Sequence, residues 1–459
     1  MRKGLLGSVA ALAAGTSLAF GQAPRAGGPP TVDPTPSAIA PSLGLPPAGA
    51  VASPSVPATP NASAVLEPGV LPPRFYSEPG VIPPGYSGPG LLNSNWSPSG
   101  FYLERVWGGF EYLLWKFRNG PTHWPLAVQG TIPGGVDFTL PGAVILTGGE
   151  EFNWDFSNGG RYTVGFWLPG STRIGIESVG TILEAKPLDA GFDAGNLSIP
   201  VLGIPFINEL TANIDSLFAA FPGGGGSGGG QLRVRSMTQF YTVELNMLAN
   251  LYRALYFHAN LVAGVKHGSL QESTSILINS PSNPNGFFLG SANTSPIRME
   301  DRFSTRNYFY GGQIGLQLQY RWRSLTLDYD NRIAMGVTRR ILNVEGSTRA
   351  GAATAPGGLF ASLSNIGSRA DNEFGVIPQI RGAIGWQALQ WLRLTCGIDF
   401  VYMNSVIRPG DQIDPVVNPT LVPLRPEFGA AAGTARPAQR FVTTDAWATG
   451  VSFGLHVRY

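Results

Sequence analysis

Residues 308–337 read YFYGGQIGLQLQYRWRSLTLDYDNRIAMGV. Before the central RWRS, Tyr308, Tyr310, Ile314, Leu316, Leu318 and Tyr320 alternate with Gln313, Gly315, Gln317, Gln319 and Arg321. After it, Leu325, Leu327, Tyr329, Ile333, Met335 and Val337 alternate with Thr326, Asp328, Asp330, Arg332 and Thr338, and Asn331 is the exception on the apolar side. A period of two is a β-strand whose faces meet two different surroundings. A strand of a soluble sandwich typically runs ~5–6 residues, with Lys and Glu on its polar face. Here the runs are longer, the polar face is Gln, Asp, Arg, Thr and Gly, and aromatic residues stand near the ends of the apolar face. That combination marks strands that cross a membrane within a closed barrel, with the apolar face on lipid and the polar face on the lumen.

The same texture recurs along the chain. Leu392, Leu394, Cys396, Ile398, Phe400 and Tyr402 oppose Arg393, Thr395 and Asp399. At the carboxy terminus Val451, Phe453, Leu455, Val457 and Tyr459 oppose Ser452, Gly454, His456 and Arg458. Strands are expected near 106–117, 160–168, 172–182, 238–250, 254–268, 307–321, 324–339, 374–388, 391–406 and 445–459. Tight links (LPGST, NLYRAL, RWRS, QALQW) follow the second, fourth, sixth and eighth, whereas the other connections are long, among them 183–237, 269–306, 339–373 and 407–444. Strict alternation of tight turns with long loops is the habit of an even-stranded barrel, turns periplasmic and loops outside. The fold expected is all-β: a transmembrane antiparallel up-and-down barrel of about ten strands, within roughly 8–12. A greasy final strand ending on an aromatic residue fits this, because it closes the sheet and faces lipid. Phe453, Leu455, Val457 and Tyr459 are the expected sorting signal read by the barrel-assembly machinery.

Composition agrees with export and membrane insertion. Charged residues make up 13% of the 459, against about 25% in an average soluble domain. A net charge of +2 with no Lys/Arg cluster gives no argument for nucleic acid. The single cysteine, Cys396, excludes an intrachain disulfide framework and a cysteine metal cluster. Residues 1–21 carry Arg2 and Lys3, an apolar run from Gly4 to Phe20, and the small-x-small site Ala19-Phe20-Gly21, which together read as a secretory signal. Residues 22–98 are rich in Pro, Ala and Gly, and PGVLPP (68–73) recurs as PGVIPP (79–84). Such a segment buries too little to offset the entropy of ordering, so a disordered periplasmic linker is expected, with contact to the cell wall as a further possibility. The barrel is expected over 99–459, in the outer membrane of a bacterium, with the linker and the carboxy terminus periplasmic.

RVWGGFEYLLWKFRNGP (105–121), YTVELNMLANLYR (241–253), residues 305–337 and VIPQIRGAIGWQALQWLRLTCGIDFVYMNSVIRPGDQIDPVVNP (376–419) carry a family likeness. They resemble the seventh family of outer-membrane β-barrel porins (BBP7-type), from about Phe101 to Tyr459, with RPGDQID…NP the most specific piece. The resemblance implies an outer-membrane barrel called a porin, and brings no catalytic residues.

The charges on lumen parity are the candidate functional residues: Glu111, Glu177, Glu244, Asp328, Asp330 and Asp399 against Arg161, Arg173, Lys266, Arg321, Arg332, Arg381 and Arg393, with Gln317 among them. Such rings set ion selectivity when they line a water path, or fill the barrel as a salt-bridge lattice. Eight strands are just filled by side chains and open porins use 16–18, so about ten strands lies near the filled limit. The function expected is a narrow passive channel for small solutes or ions. The alternative is a closed structural or surface-binding barrel acting through its long loops. Beyond the ninth strand, Arg408-Pro409-Gly410-Asp411 suits a type II turn, with Arg408 paired to a carboxylate and the loop tucked over the mouth. Asp411, Asp414 and Asn418 offer oxygens, but not in an EF-hand pattern, so no metal or other cofactor is expected. His123, His258, His267 and His456 show no His-Ser or His-Asp pairing by spacing, and GGGGSGGG (223–230) lacks the ending of a phosphate loop. No enzyme is expected.

Overall fold

The computed structural model describes residues 106–169, 171, 173–222, 229–286 and 295–458. The proposed signal and linker, residues 223–228 of the glycine run and Tyr459 lie outside them. Ten strands make the wall: β1 (Val106–Phe117), β2 (Ser157–Trp167), β3 (Ile174–Asp193), β4 (Gln231–Arg253), β5 (Phe257–Ser280), β6 (Ile297–Trp322), β7 (Leu325–Ala350), β8 (Gly367–Gln387), β9 (Leu392–Ile407) and β10 (Thr443–Arg458). Each pairs antiparallel with its sequence neighbours. β1 closes the ring on β10, from Trp107 opposite Arg458 to Phe117 opposite Ala448. Where the ring is complete it has no open edge, which is what lipid demands of a sheet, whereas 184–193 of β3 and 367–378 of β8 pair on one side only.

The four tight turns fall where the sequence puts them. In β6–β7 only Arg323 and Ser324 intervene, Arg323 taking a positive φ of 57°, and Tyr320 faces Leu327. Strand length is where expectation and structure part. Segments 183–193, 231–237, 269–280, 297–306, 340–350 and 367–373, read from sequence as loop, continue the wall. The reason is a switch in the phase of alternation. In β6, Tyr310, Ile314 and Tyr320 point outward and Gln313 inward; above them Phe309, Phe303, Met299 and Ile297 are buried inside, while Arg306, Arg302 and Arg298 are exposed outside. β4 does the same, with Val243, Leu245 and Met247 outside below and Leu232, Val234 and Phe240 inside above. The outward face wants apolar residues against lipid and polar ones against water, so a strand longer than the membrane must exchange its faces.

The remaining loops fold onto the overhang. Segments Pro125–Gln129, Val144–Gly148, Leu202–Asn208, Ile214–Ala220 and Val416–Val417 come from three separate connections and form one five-stranded sheet. Leu126, Ala127, Trp154, Leu202, Phe206, Phe360, Val422 and Leu424 from the loops share a continuous core with Trp115, Phe240, Phe303, Phe309 and Ile407 from the wall. Burying a Phe or Leu side chain contributes about 1.5–3 kcal/mol, so the loops are held on the wall by an ordinary protein core.

Candidate functional site

Within the belt of outward apolar residues the interior carries charges that meet across the barrel. Arg161 on β2 donates to Glu111 on β1 at 2.8 Å and to Asp399 on β9, also at 2.8 Å. Arg381 on β8 donates to Glu111 too, and His456 on β10 lies 3.1 Å from the same carboxylate. Beside this cluster Arg332 on β7 reaches Glu244 on β4 at 2.7 Å, Glu177 on β3 at 3.0 Å and Asp330 on its own strand at 2.7 Å. Lys266 on β5 joins Glu244 at 2.9 Å and Gln379 on β8 at 2.7 Å. Gln313 and Gln317 complete it, donating to Glu244 and Glu177 respectively. The side chains of Glu111, Arg161, Glu177, Glu244, Lys266, Arg332 and Asp399 are each at most 6% exposed.

Bonds between β7 and β3 or β2 and β9 join strands that are not neighbours, so they bridge the lumen. Each charge is taken from water, and its partners must repay that. Arg suits the task, since its planar fork can hold several carboxylate oxygens at once. Nearer the tight turns Asp328 meets Arg393 at 3.0 Å and Gln319 at 2.6 Å, less buried than the layer above. Arg173 and Arg321, of the expected set, sit at the tight-turn end outside the buried lattice, Arg321 still on the parity of Gln313 and Gln317. Arg173 lies in the β2–β3 turn and is exposed, so its parity no longer directs it into the lumen; Arg321 is exposed at the last turn of β6.

At the long-loop end Arg408 is 2% exposed. It grips Glu272 of β5 through two bonds of 2.9 and 2.8 Å and donates to the carbonyls of Asn119 and Arg118. The expected carboxylate partner and tucked loop are therefore both present. The turn is different: Pro409–Gln412 form a short 3-10 turn instead of type II. Gly410 is required because a Cβ there would stand 1.6 Å from the Pro121 carbonyl oxygen, so the motif marks a close approach of two loops. Asp411 takes His123 Nε2 at 2.7 Å, and Asp414 takes Arg436 at 2.8 Å and the Ala438 amide at 2.8 Å. Asn418 caps Thr420 and donates to the Ala432 and Thr434 carbonyls. The oxygens that spacing offered to a cation serve the chain itself. His123–Asp411 joins residues far apart in sequence, which is why spacing could not find it. Deeper still, Asp301 accepts from the amides of Leu359, Phe360 and Ala361, pinning the loop after β7.

Of the expected sorting residues, Phe453 and Leu455 are exposed on the outer face of β10, Val457 is half-buried, and Tyr459 is outside the described residues. A closed antiparallel ring with an outward apolar belt and inward charges defines the class: a transmembrane β-barrel of the bacterial outer membrane. The chain belongs to the family described as "Putative beta barrel porin-7 (BBP7)", whose model matches residues 107–459. No curated protein matches it. Among solved structures it is similar to the outer membrane protease OmpT from Escherichia coli at 8% identity and a TM-score of 0.38, covering 79% of this chain and 99% of that one. A Pseudomonas aeruginosa FadL homologue matches at 8% identity and a TM-score of 0.21, covering 77% and 89% respectively. Likenesses this distant carry no argument about activity.

Proposed function

We propose that the protein is a closed, non-catalytic outer-membrane barrel that holds a folded loop domain outside the cell as a structural or binding surface. The cross-lumen lattice centred on Arg332 and Arg161 carries this reading. Passing a hydrated ion would require parting these buried pairs, each leaving a charge uncompensated at a cost of several kcal/mol. The core that fuses loops to wall above the lattice is a second barrier to solutes. In this reading the long-loop end is extracellular, both ends of the chain are periplasmic, and β10 is the strand that the assembly machinery handles. The passive-channel reading draws on the family's porin name and on the less buried Asp328, Arg393 and Gln319 near the tight turns. Conductance of the folded full chain in a planar bilayer decides between the two. Silence from protein shown to be folded is expected, and steady discrete steps would sink the closed reading.

A further inference from the structure

Above the apolar belt most outward arginines with a carboxylate in reach use it. Arg233 and Arg235 both hold Asp189, at 2.6 and 3.1 Å, and Arg298 holds Glu300 at 3.4 Å. Arg302 stands directly opposite Glu345 in the β6–β7 register. Arg302 makes no ion pair there among the described residues, and Arg306 and Arg339 have no carboxylate opposite them at all. Both are exposed, and neither has an ion pair among the described residues.

Register fixes where they stand. The last apolar row runs His267, Tyr310, Val337 and Phe374 across β5 to β8; the next runs Ser269, Tyr308, Arg339 and Asn372; the next Gln271, Arg306, Ile341 and Ala370. Arg306 and Arg339 are thus diagonal neighbours on adjacent strands, roughly 7–8 Å apart at Cα, close enough for both guanidinium groups to reach one anion. Across these two polar rows the outward residues include no carboxylate. Directly beneath, His267 stacks on Tyr310 at 4.6 Å and meets Tyr241 edge-on at 5.6 Å. Amphipathic rings of this kind collect at headgroup depth, so the aromatic floor independently sets the level of the membrane surface.

We propose that Arg306 and Arg339, above the His267–Tyr310 floor, form a binding site for the phosphate of an anionic membrane lipid. Two unpaired forks at the level of lipid phosphates match that group in charge and geometry. The stacked rings lie level with the upper ends of its chains.

The test uses the full chain folded in detergent, titrated in native mass spectrometry with phosphatidic acid or with diacylglycerol of the same chains, which differ only in the phosphate. Retention of phosphatidic acid about tenfold above diacylglycerol is expected, with a loss of about tenfold in Arg306→Gln/Arg339→Gln. Arg233→Gln/Arg235→Gln, which alters arginines already held by Asp189, should retain the lipid as the unaltered chain does. On the unaltered chain alone, retention should fall as salt is raised to about 0.5 M, so the proposal does not hang on the variant folding. Equal retention of the two lipids, insensitivity to salt, or an unchanged double variant overturns the site. Displacement by millimolar inorganic phosphate would assign the pair to a soluble anion and overturn the lipid.

Discussion

The two halves of β6 are one continuous strand with opposite chemistry. From Tyr310 to Trp322 the outside is apolar and the inside is Gln, Gly and a terminal Arg; from Ile297 to Phe309 the outside is Arg, Glu, Ser and one Tyr, and the inside is Ile, Met and Phe interleaved with Asp301, Thr305 and Asn307. Hydrogen bonding to the neighbours is unbroken through the change. Backbone pairing is thus indifferent to what surrounds the wall, and only the side chains record where lipid stops. The interior changes too, from a lattice of ion pairs held across the barrel to a hydrophobic core shared with the loops.

The sharpest way to break this picture is to remove the hub of the lattice. Arg332→Met leaves Glu177 and Glu244 buried with fewer partners, and should lower the unfolding free energy of the refolded barrel by about 3–5 kcal/mol, read as a reduced urea midpoint. Glu177→Gln in the same chain should recover part of that loss. A loss below about 1 kcal/mol would mean that water already reaches these charges, as at an exposed pair, and would favour a channel. Next in size is a contrast within β6. Ile314→Arg places a charge on the lipid face of the belt and should cost about 2–4 kcal/mol in vesicles. Ser304→Arg, on the same face of the overhang, should stay within about 0.5 kcal/mol. Equal costs would remove the distinction between the two halves.

The ten strands and their four tight turns were legible because period two over long runs, interrupted by turns of only two to six residues, has few other readings. The overhang was not, since a phase switch such as Phe309–Tyr310 looks locally like the end of a strand. Parity correctly sent Glu111, Arg161, Glu244 and Lys266 inward, but parity gives a face and no height. Arg173 therefore shared the parity of Glu177 while lying in the turn. Partners across the lumen, such as Arg161 with Asp399 or Arg332 with Glu177, depend on barrel closure and cannot be read from any single strand. For the Arg408 loop the carboxylate partner was legible and the turn type was not, because Pro-Gly fits two turns and only Pro121, from another loop, selects one.

The overhang also carries the molecule's clearest pH dependence. Burial pushes the Asp301 carboxyl up to about 7, against the pull of three amide donors and with Glu300 adding to the rise. A carboxyl raised in the folded state binds more protons folded than unfolded, so its contribution is full below about pH 4 and is lost as pH climbs through about 7. The unfolding free energy measured from pH 4 to 8 should fall by an amount of the order of 1–3 kcal/mol. Asp301→Asn should flatten that slope, and an unchanged slope would show that the dependence lies elsewhere.

The smallest effect belongs to Asn331, the one polar residue on the apolar face of β7. It stands between Leu316 and Ile380 on the neighbouring strands, half-exposed outward, with its amide donating to the Tyr329 hydroxyl at 3.2 Å. That one bond leaves its remaining polar capacity facing lipid, where no water can satisfy it. Asn331→Leu should therefore stabilise the barrel in a bilayer by about 1 kcal/mol, the net worth of exchanging a partly satisfied amide for apolar surface. In the overhang the sign should reverse or vanish, so Asn343→Leu, on the same face of the same strand, should give no gain. If both substitutions stabilise equally, lipid is not what the outward face of β7 distinguishes, and the boundary drawn at Val337 and Arg339 is misplaced.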